Sequence, residues 1–124
     1  MNARLALTLA GICMFVAVAA GAFGAHLLRT RLEPEMASVW QTAVTYQAWH
    51  ALALLGLACL LDHRPGRRGL AIAGWLFLTG IVLFSGSLYA LALTGMRIFG
   101  AVTPLGGAAF LGGWGFLVCS AWKR

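Results

Sequence analysis

The chain has 124 residues, of which 61% are hydrophobic and only 10% are charged. Because about a quarter of the residues of a soluble domain are charged, this composition excludes an ordinary soluble protein. It indicates one integral membrane domain, residues 1–124. The formal net charge is +6, but the basic residues lie between long apolar runs, where they meet lipid headgroups. We therefore expect the lipid bilayer, and no nucleic acid, as the surrounding partner.

The first apolar run, about residues 5–28, is long enough to cross a membrane. The basic residue before it and the small residues near its end also fit a secretory signal. Three further apolar runs follow, so we predict a retained first helix. Small residues recur every four positions in this run, and such rows let another helix approach closely. The packing residues predicted here are Gly21 and Gly24, and His26 lies at the far end.

An amphipathic segment, about residues 34–40, precedes the second span at about residues 40–61. Pro34 suits the first turn of a helix. A straight helix through both stretches would exceed the roughly 30 Å hydrocarbon core, so we predict a short interfacial helix that bends into the span or continues as it. The span itself contains Tyr46, Gln47 and His50. Such groups are costly in hydrocarbon and usually face a partner, a cavity or a ligand.

The third and fourth spans are predicted at about residues 70–93 and 98–122. Gly86, between two serines, is expected to loosen the third helix or admit a close neighbour. Pro104 removes a backbone hydrogen bond, so the fourth helix is expected to start late or to kink there. The other packing residues predicted in the fourth span are Gly106, Gly107 and Gly112.

The distribution of basic residues predicts the orientation of the four spans. One side carries two glutamates and three basic residues, Arg29, Arg31 and Arg97. The side that holds both termini carries six, namely Arg4, Arg64, Arg67, Arg68, Lys123 and Arg124. The positive-inside rule therefore predicts that both termini lie in the cytoplasm.

In this orientation, polar residues from all four spans reach similar depths in the outer half of the membrane. The prediction is an all-α integral membrane protein: a four-transmembrane-helix bundle with a short interfacial helix before the second span and an outward-facing polar niche. Two histidines also have simpler interpretations, His26 as a headgroup residue and His50 as a neutral ring bonded to Tyr46 or to a neighbouring backbone carbonyl. The candidate niche residues are His26, Tyr46, Gln47, His50, Ser85, Tyr89 and Thr103.

The sequence contains no recognisable catalytic or metal-binding constellation. Its three acids lie in loops, and its serines lack an acid that would orient a base, so we expect no enzyme. Cys13, Cys59 and Cys119 have no paired or metal-like spacing and are interpreted as small buried hydrophobes. No metal site and no cofactor are predicted.

Four motifs resemble those of a known family. They are Gly21-Ala22-Phe23-Gly24-Ala25-His26, the run from Thr42 to Leu55 with Tyr46, Gln47 and His50, Phe84-Ser85-Gly86-Ser87-Leu88-Tyr89, and Thr103-Pro104-x-Gly106-Gly107. Together they resemble the bacterial inner-membrane domain-of-unknown-function family 423, which is similar to eukaryotic transmembrane protein 256. The resemblance implies a multi-pass protein of a bacterial inner (plasma) membrane, and it implies no reaction.

The sequence is compatible with three functions. The first is a structural or interaction bundle that packs with itself, as a homo-oligomer, or with a larger membrane complex, as the small-residue rows suggest. The second is small-molecule or ion binding or translocation through the polar niche, because ionisable residues in membranes often mark such paths. The third is haem or metal binding by His26 and His50, which lie at different depths and lack further ligands.

Overall fold

The computed structural model describes residues 1–122 of the chain. Within that range the chain forms four helices and no strands. The helices extend over Ala3–Leu28, Pro34–His63, Arg68–Thr94 and Ile98–Trp122, and each is long and apolar enough to cross a membrane. The predicted all-α membrane architecture is confirmed. Lys123 and Arg124, which contribute to the charge count above, lie outside the described residues.

Two of the helices contain a π-helical turn that the sequence did not predict. In the first helix the turn covers Gly24–Leu28, and in the third it covers Ile81–Ser85. In the third helix the Gly86 amide donates to the Ile81 carbonyl, five residues back. A π turn accommodates one extra residue, so it changes which side chains of the helix face each neighbour.

The second helix is continuous from Pro34 to His63, so the amphipathic segment runs straight on as the second span, which is one of the two predicted arrangements. Its 30 residues correspond to about 45 Å, and its first turns therefore extend beyond a hydrocarbon core of about 30 Å. No helix breaker follows Pro34 in residues 35–40. The Trp40 indole also donates to the Ala20 carbonyl at 2.9 Å, which fixes this end of the helix against the first helix.

The fourth helix begins at Ile98 and continues through Pro104, so the expected late start is wrong. Proline removes one backbone donor from the helix, and a membrane helix tolerates this where side chains satisfy the freed groups. Pro104 leaves the Gly100 carbonyl, four residues back, without its usual backbone donor. The hydroxyl of the preceding residue, Thr103, donates to the Phe99 carbonyl at 3.3 Å.

The second and third helices form the centre of the bundle. The first helix packs on the second, and the fourth packs on the third. Glycines allow the closest approaches: the Trp40 ring lies over Gly24, and the Phe84 backbone lies against Gly106. Of the other predicted packing residues, Gly21, Gly107 and Gly112 lie 3.3–3.9 Å from a neighbouring side chain, measured from an ideal Cβ position. Gly86 has open space around it.

The cysteines do not share one environment. Cys13 is buried between helices, as expected, but Cys59 and Cys119 are exposed on the outer surface. The interpretation as buried residues is wrong for these two. In a membrane the outer surface faces hydrocarbon, and a weakly polar thiol is not forced inward there.

Candidate functional site: a polar layer between the helices

The central feature of the site is Gln47, which connects three helices. Its amide nitrogen donates to the Cys13 carbonyl of the first helix at 2.8 Å. Its amide oxygen accepts from the Tyr89 hydroxyl of the third helix at 2.8 Å. The side chain is 4% exposed. Both hydrogen bonds are therefore shielded from competing partners, and both hold one helix against another.

Ser85 makes a second connection between the central helices. It is fully buried at the end of the π turn, and its hydroxyl donates to the Ala43 carbonyl at 2.8 Å. A helical carbonyl has a second lone pair, so it can accept this bond and keep its backbone hydrogen bond within the helix. Ser85 therefore fixes the third helix against the second.

Ser87 connects the third helix to the fourth. Its hydroxyl lies 2.7 Å from the Thr103 hydroxyl and 3.0 Å from the Phe84 carbonyl. The candidate residue Thr103 therefore takes part in the contact between the third and fourth helices. We use the name polar layer for Gln47, His50, Ser85, Ser87, Tyr89 and Thr103.

His50 has a hydrogen bond at each ring nitrogen. Nδ1 lies 2.7 Å from the Tyr46 carbonyl, which can only accept, so Nδ1 carries the proton. Nε2 lies 3.1 Å from the Trp114 indole nitrogen, which can only donate, so Nε2 accepts. The ring is also stacked on Phe110, with 3.5 Å between centroids. The geometry therefore assigns a neutral, fully bonded histidine.

Tyr46 lies beside the polar layer in an aromatic cluster. Its ring is half-buried, with its centroid 4.5 Å from that of Phe84 and 5.1 Å from that of Trp49. It also lines a lateral cleft of about 600 Å³ between the second and fourth helices. We use the name lateral cleft for this space, which is lined by Tyr46, Trp49, His50, Phe84, Pro104, Gly107, Ala108, Phe110, Leu111 and Trp114.

His26 does not join the other candidates. It is exposed in the π turn at the end of the first helix, outside the polar layer. The structure thus brings together Gln47, Ser85, Tyr89 and Thr103 by interhelical bonds and places His50 beside them, but it leaves His26 at the surface. Within residues 1–122, no buried side-chain nitrogen or oxygen lacks a hydrogen-bond partner.

Sequence reasoning missed Trp114 and Phe110, which contact His50 from the fourth helix. A signal was present for Trp114. Tryptophans of membrane helices concentrate at the two interfaces, whereas Trp114 lies eight residues before the end of its helix at Trp122. A tryptophan at that depth needs a partner for its N–H group.

The histidine, cysteine and acidic side chains do not cluster in the described part of the chain. Among residues 1–122, no group of three or more histidine, cysteine or acidic side chains is placed to hold an ion. Both nitrogens of His50 are already bonded, so a metal or haem would have to displace Trp114 or the Tyr46 carbonyl. What the layer can do chemically is hold four helices together in hydrocarbon.

Comparison with known proteins identifies the family. Residues 20–107 match the family described as "Protein of unknown function (DUF423)". The chain is 47% identical over 115 residues to the Bacillus subtilis UPF0382 membrane protein YwdK, covering 93% of this chain and 94% of that one. It is 44% identical over 128 residues to the Escherichia coli UPF0382 inner membrane protein YgdD, covering 98% of this chain and 92% of that one. No solved structure matches the chain. The family match covers the region that carries the four motifs, and the two relatives match over most of their length. The chain therefore belongs to the DUF423 family of membrane proteins.

Proposed function

We propose that this protein is a structural membrane bundle that packs with a second copy of itself or with a larger membrane complex, and that it performs no catalysis. The observation that carries the proposal is the saturation of the polar layer. Gln47, Ser85 and Ser87 each use their polar atoms on another helix. Side chains used in this way stabilise helix packing in lipid, and they are not open to a ligand or an ion.

A surface that would suit a packing partner lies between the first and second helices. It is an apolar groove of about 550 Å³. Gly11 lines it and has open space where a side chain would stand, while Phe15 beside it is 77% exposed. Exposed small residues next to large ones let a helix from another chain approach closely and interlock.

Native mass spectrometry of the full-length chain, released from mild detergent, tests this proposal. We expect a fixed stoichiometry above one, or a co-purifying membrane protein, with the wild type. Gly11→Leu should reduce that assembly, because it fills the groove. Gly86→Leu is the matched control, since Gly86 also has open space but lies outside this groove. A wild-type protein that is always a lone monomer, with no partner, would overturn the proposal.

We place the protein in a bacterial inner membrane with both termini in the cytoplasm. The Escherichia coli relative is named an inner membrane protein, which supports this location. The excess of basic residues at the ends and in the second loop supports the orientation. A fluorescent protein fused to the C-terminus should then fluoresce, and alkaline phosphatase fused there should be inactive. The reverse pattern would refute the orientation.

A second candidate function is binding of a small apolar molecule, favoured by the aromatic walls of the lateral cleft. Gly107 lines that cleft, and an added Cβ there would lie no closer than 3.9 Å to its neighbours. Gly107→Leu should therefore fill the cleft without disturbing the bundle. A defined extra mass in the native spectrum that disappears in this variant, and survives in Gly86→Leu, would support binding. A wild-type spectrum without any extra mass would exclude this second function.

A further inference from the structure

An apolar groove between the third and fourth helices ends in a pair of arginines. The groove has a volume of about 610 Å³. Its walls include Ile72 of the third helix and Phe116 of the fourth. It runs along the fourth helix from Gly112 to Cys119, which is about 10 Å of helix. It therefore extends from the end of the bundle into one leaflet of the membrane.

The groove exists because two fourth-helix residues along it, Gly112 and Gly115, have no side chain. Gly115 has no heavy atom within 4 Å of an ideal Cβ position, and the nearest atom at Gly112 is Leu76 Cδ1 at 3.4 Å. Ser120 lines the lower part of the groove, but its hydroxyl already donates to the Phe116 carbonyl at 2.7 Å. The interior of the groove therefore suits a hydrocarbon chain.

The mouth of the groove is basic. Arg67 is half-buried and Arg68 is exposed, and both line the opening. Arg64 lines an adjoining groove that shares Ser120 with this one. The acid of the same loop, Asp62, lines a different groove, with Arg4. The mouth is thus basic at the level of the lipid headgroups, and its exposed Arg68 carries a guanidinium, the group that best matches a phosphate.

We propose that this groove binds one anionic phospholipid, with an acyl chain beside Gly112 and Gly115 and the phosphate at Arg68. The two parts of the groove match the two parts of such a molecule: apolar walls for the chain and positive charge for the headgroup. Basic pockets between helices on the cytoplasmic side are typical of anionic lipid recognition. The positive-inside rule predicts the cytoplasmic side for this end of the bundle.

The test measures lipid binding to the full-length protein in mild detergent by native mass spectrometry, with phosphatidylglycerol and phosphatidylcholine of identical acyl chains. We expect phosphatidylglycerol to bind with the higher affinity. Arg68→Gln should weaken its binding about fivefold, the value expected for one arginine near a membrane surface. Arg97→Gln, in the loop at the opposite end of the third helix, is the control and should leave binding unchanged.

A second variant tests the acyl chain part of the site. Gly115→Leu points a side chain into open space, so it should fold as the wild type does and lose the bound phosphatidylglycerol. Equal affinity for the two lipids, or unchanged binding in both Arg68→Gln and Gly115→Leu, would overturn the proposal. Displacement of the lipid by millimolar inorganic phosphate would show a free-anion site instead. A fall in oligomer stoichiometry in Gly115→Leu would show that a second copy occupies the groove.

Discussion

Replacing Gln47 with leucine should destabilise the bundle, because it removes the side chain that connects three helices. Leucine fills a similar volume but makes neither the bond to the Cys13 carbonyl nor the bond to the Tyr89 hydroxyl, each 2.8 Å long. The Tyr89 hydroxyl also loses its acceptor among the described residues. The change therefore removes two interhelical bonds and leaves one half-buried donor without a partner.

The magnitude follows from these two bonds. Interhelical hydrogen bonds in membrane proteins contribute about 0.6 kcal/mol on average and about 1.7 kcal/mol at most. Two such bonds give a loss of about 1 to 3 kcal/mol in the free energy of unfolding for Gln47→Leu. Tyr89→Phe removes one of them and should cost about 0.6 kcal/mol. The double variant should cost less than the sum of the two, because both single changes break the same Gln47–Tyr89 bond.

The assay is reversible unfolding in mixed micelles, followed by tryptophan fluorescence, for the wild type and the three variants. Gln41→Leu is the matched control: it is the same substitution on the same helix at an exposed position, with only a 3.3 Å side-chain contact to Thr45. If Gln47→Leu costs no more than Gln41→Leu, or if the two single effects add exactly, the connection assigned to Gln47 is wrong.

Three further predictions concern single contacts. Gly106→Ala should lower the free energy of unfolding by about 1 to 3 kcal/mol, because the added methyl group would overlap the Phe84 backbone. Gly86→Ala is the control in the same assay and should cause no such loss, because Gly86 has open space around it. Ser85→Ala should cost about 0.6 kcal/mol through the lost bond to the Ala43 carbonyl, and an effect no larger than that of exposed Ser38→Ala would contradict this. Nitrogen-15 NMR of labelled histidine should show wild-type His50 protonated at Nδ1 and not at Nε2 near neutral pH. A proton on Nε2 in the wild type would refute the assigned acceptor role.

The positions of the four spans could be predicted from the sequence because the physical signal is strong. Apolar runs longer than 20 residues, separated by charged loops, have few alternatives in a membrane. The end of the third helix near Thr94 was also predictable, because a glycine follows it. In the structure Gly95 adopts φ 69°, a conformation that favours glycine. The continuous second helix was less readable. Its length exceeds the hydrocarbon core, and the Trp40 bond that fixes its first turns against the first helix is a long-range contact without a local sequence signal.

The candidate residues were partly predictable, and their arrangement was not. Polar groups in hydrocarbon need partners, so Gln47, Ser85 and Tyr89 could be selected from their depth alone. Their partners are mostly backbone carbonyls, of Cys13 and Ala43, which carry no sequence signal. Whether a polar set forms an open niche or a closed layer depends on distances of a few ångströms between helices, and no periodicity in the sequence encodes them.

The π turn at Ile81–Ser85 explains how the third helix reaches two neighbours, and it yields a last prediction. One extra residue rotates the direction of every later side chain around the helix axis by about 100°, relative to a regular α-helix. Tyr89, which bonds Gln47, lies after the turn. Deleting Val82, which is 62% exposed within the turn, should convert it to regular α-helix and keep Tyr89 facing Gln47.

Deletion of Leu111, 75% exposed in the uninterrupted fourth helix, is the matched control. No π turn lies in that helix to absorb the change, so the deletion should rotate Trp114 away from His50 relative to the residues before it. In thermal unfolding the Val82 deletion should keep a cooperative transition close to that of the wild type, and the Leu111 deletion should lose it. Equal damage from the two deletions would mean that the facing of the third helix does not depend on the π turn, and that Tyr89 reaches Gln47 through flexibility of the bundle instead.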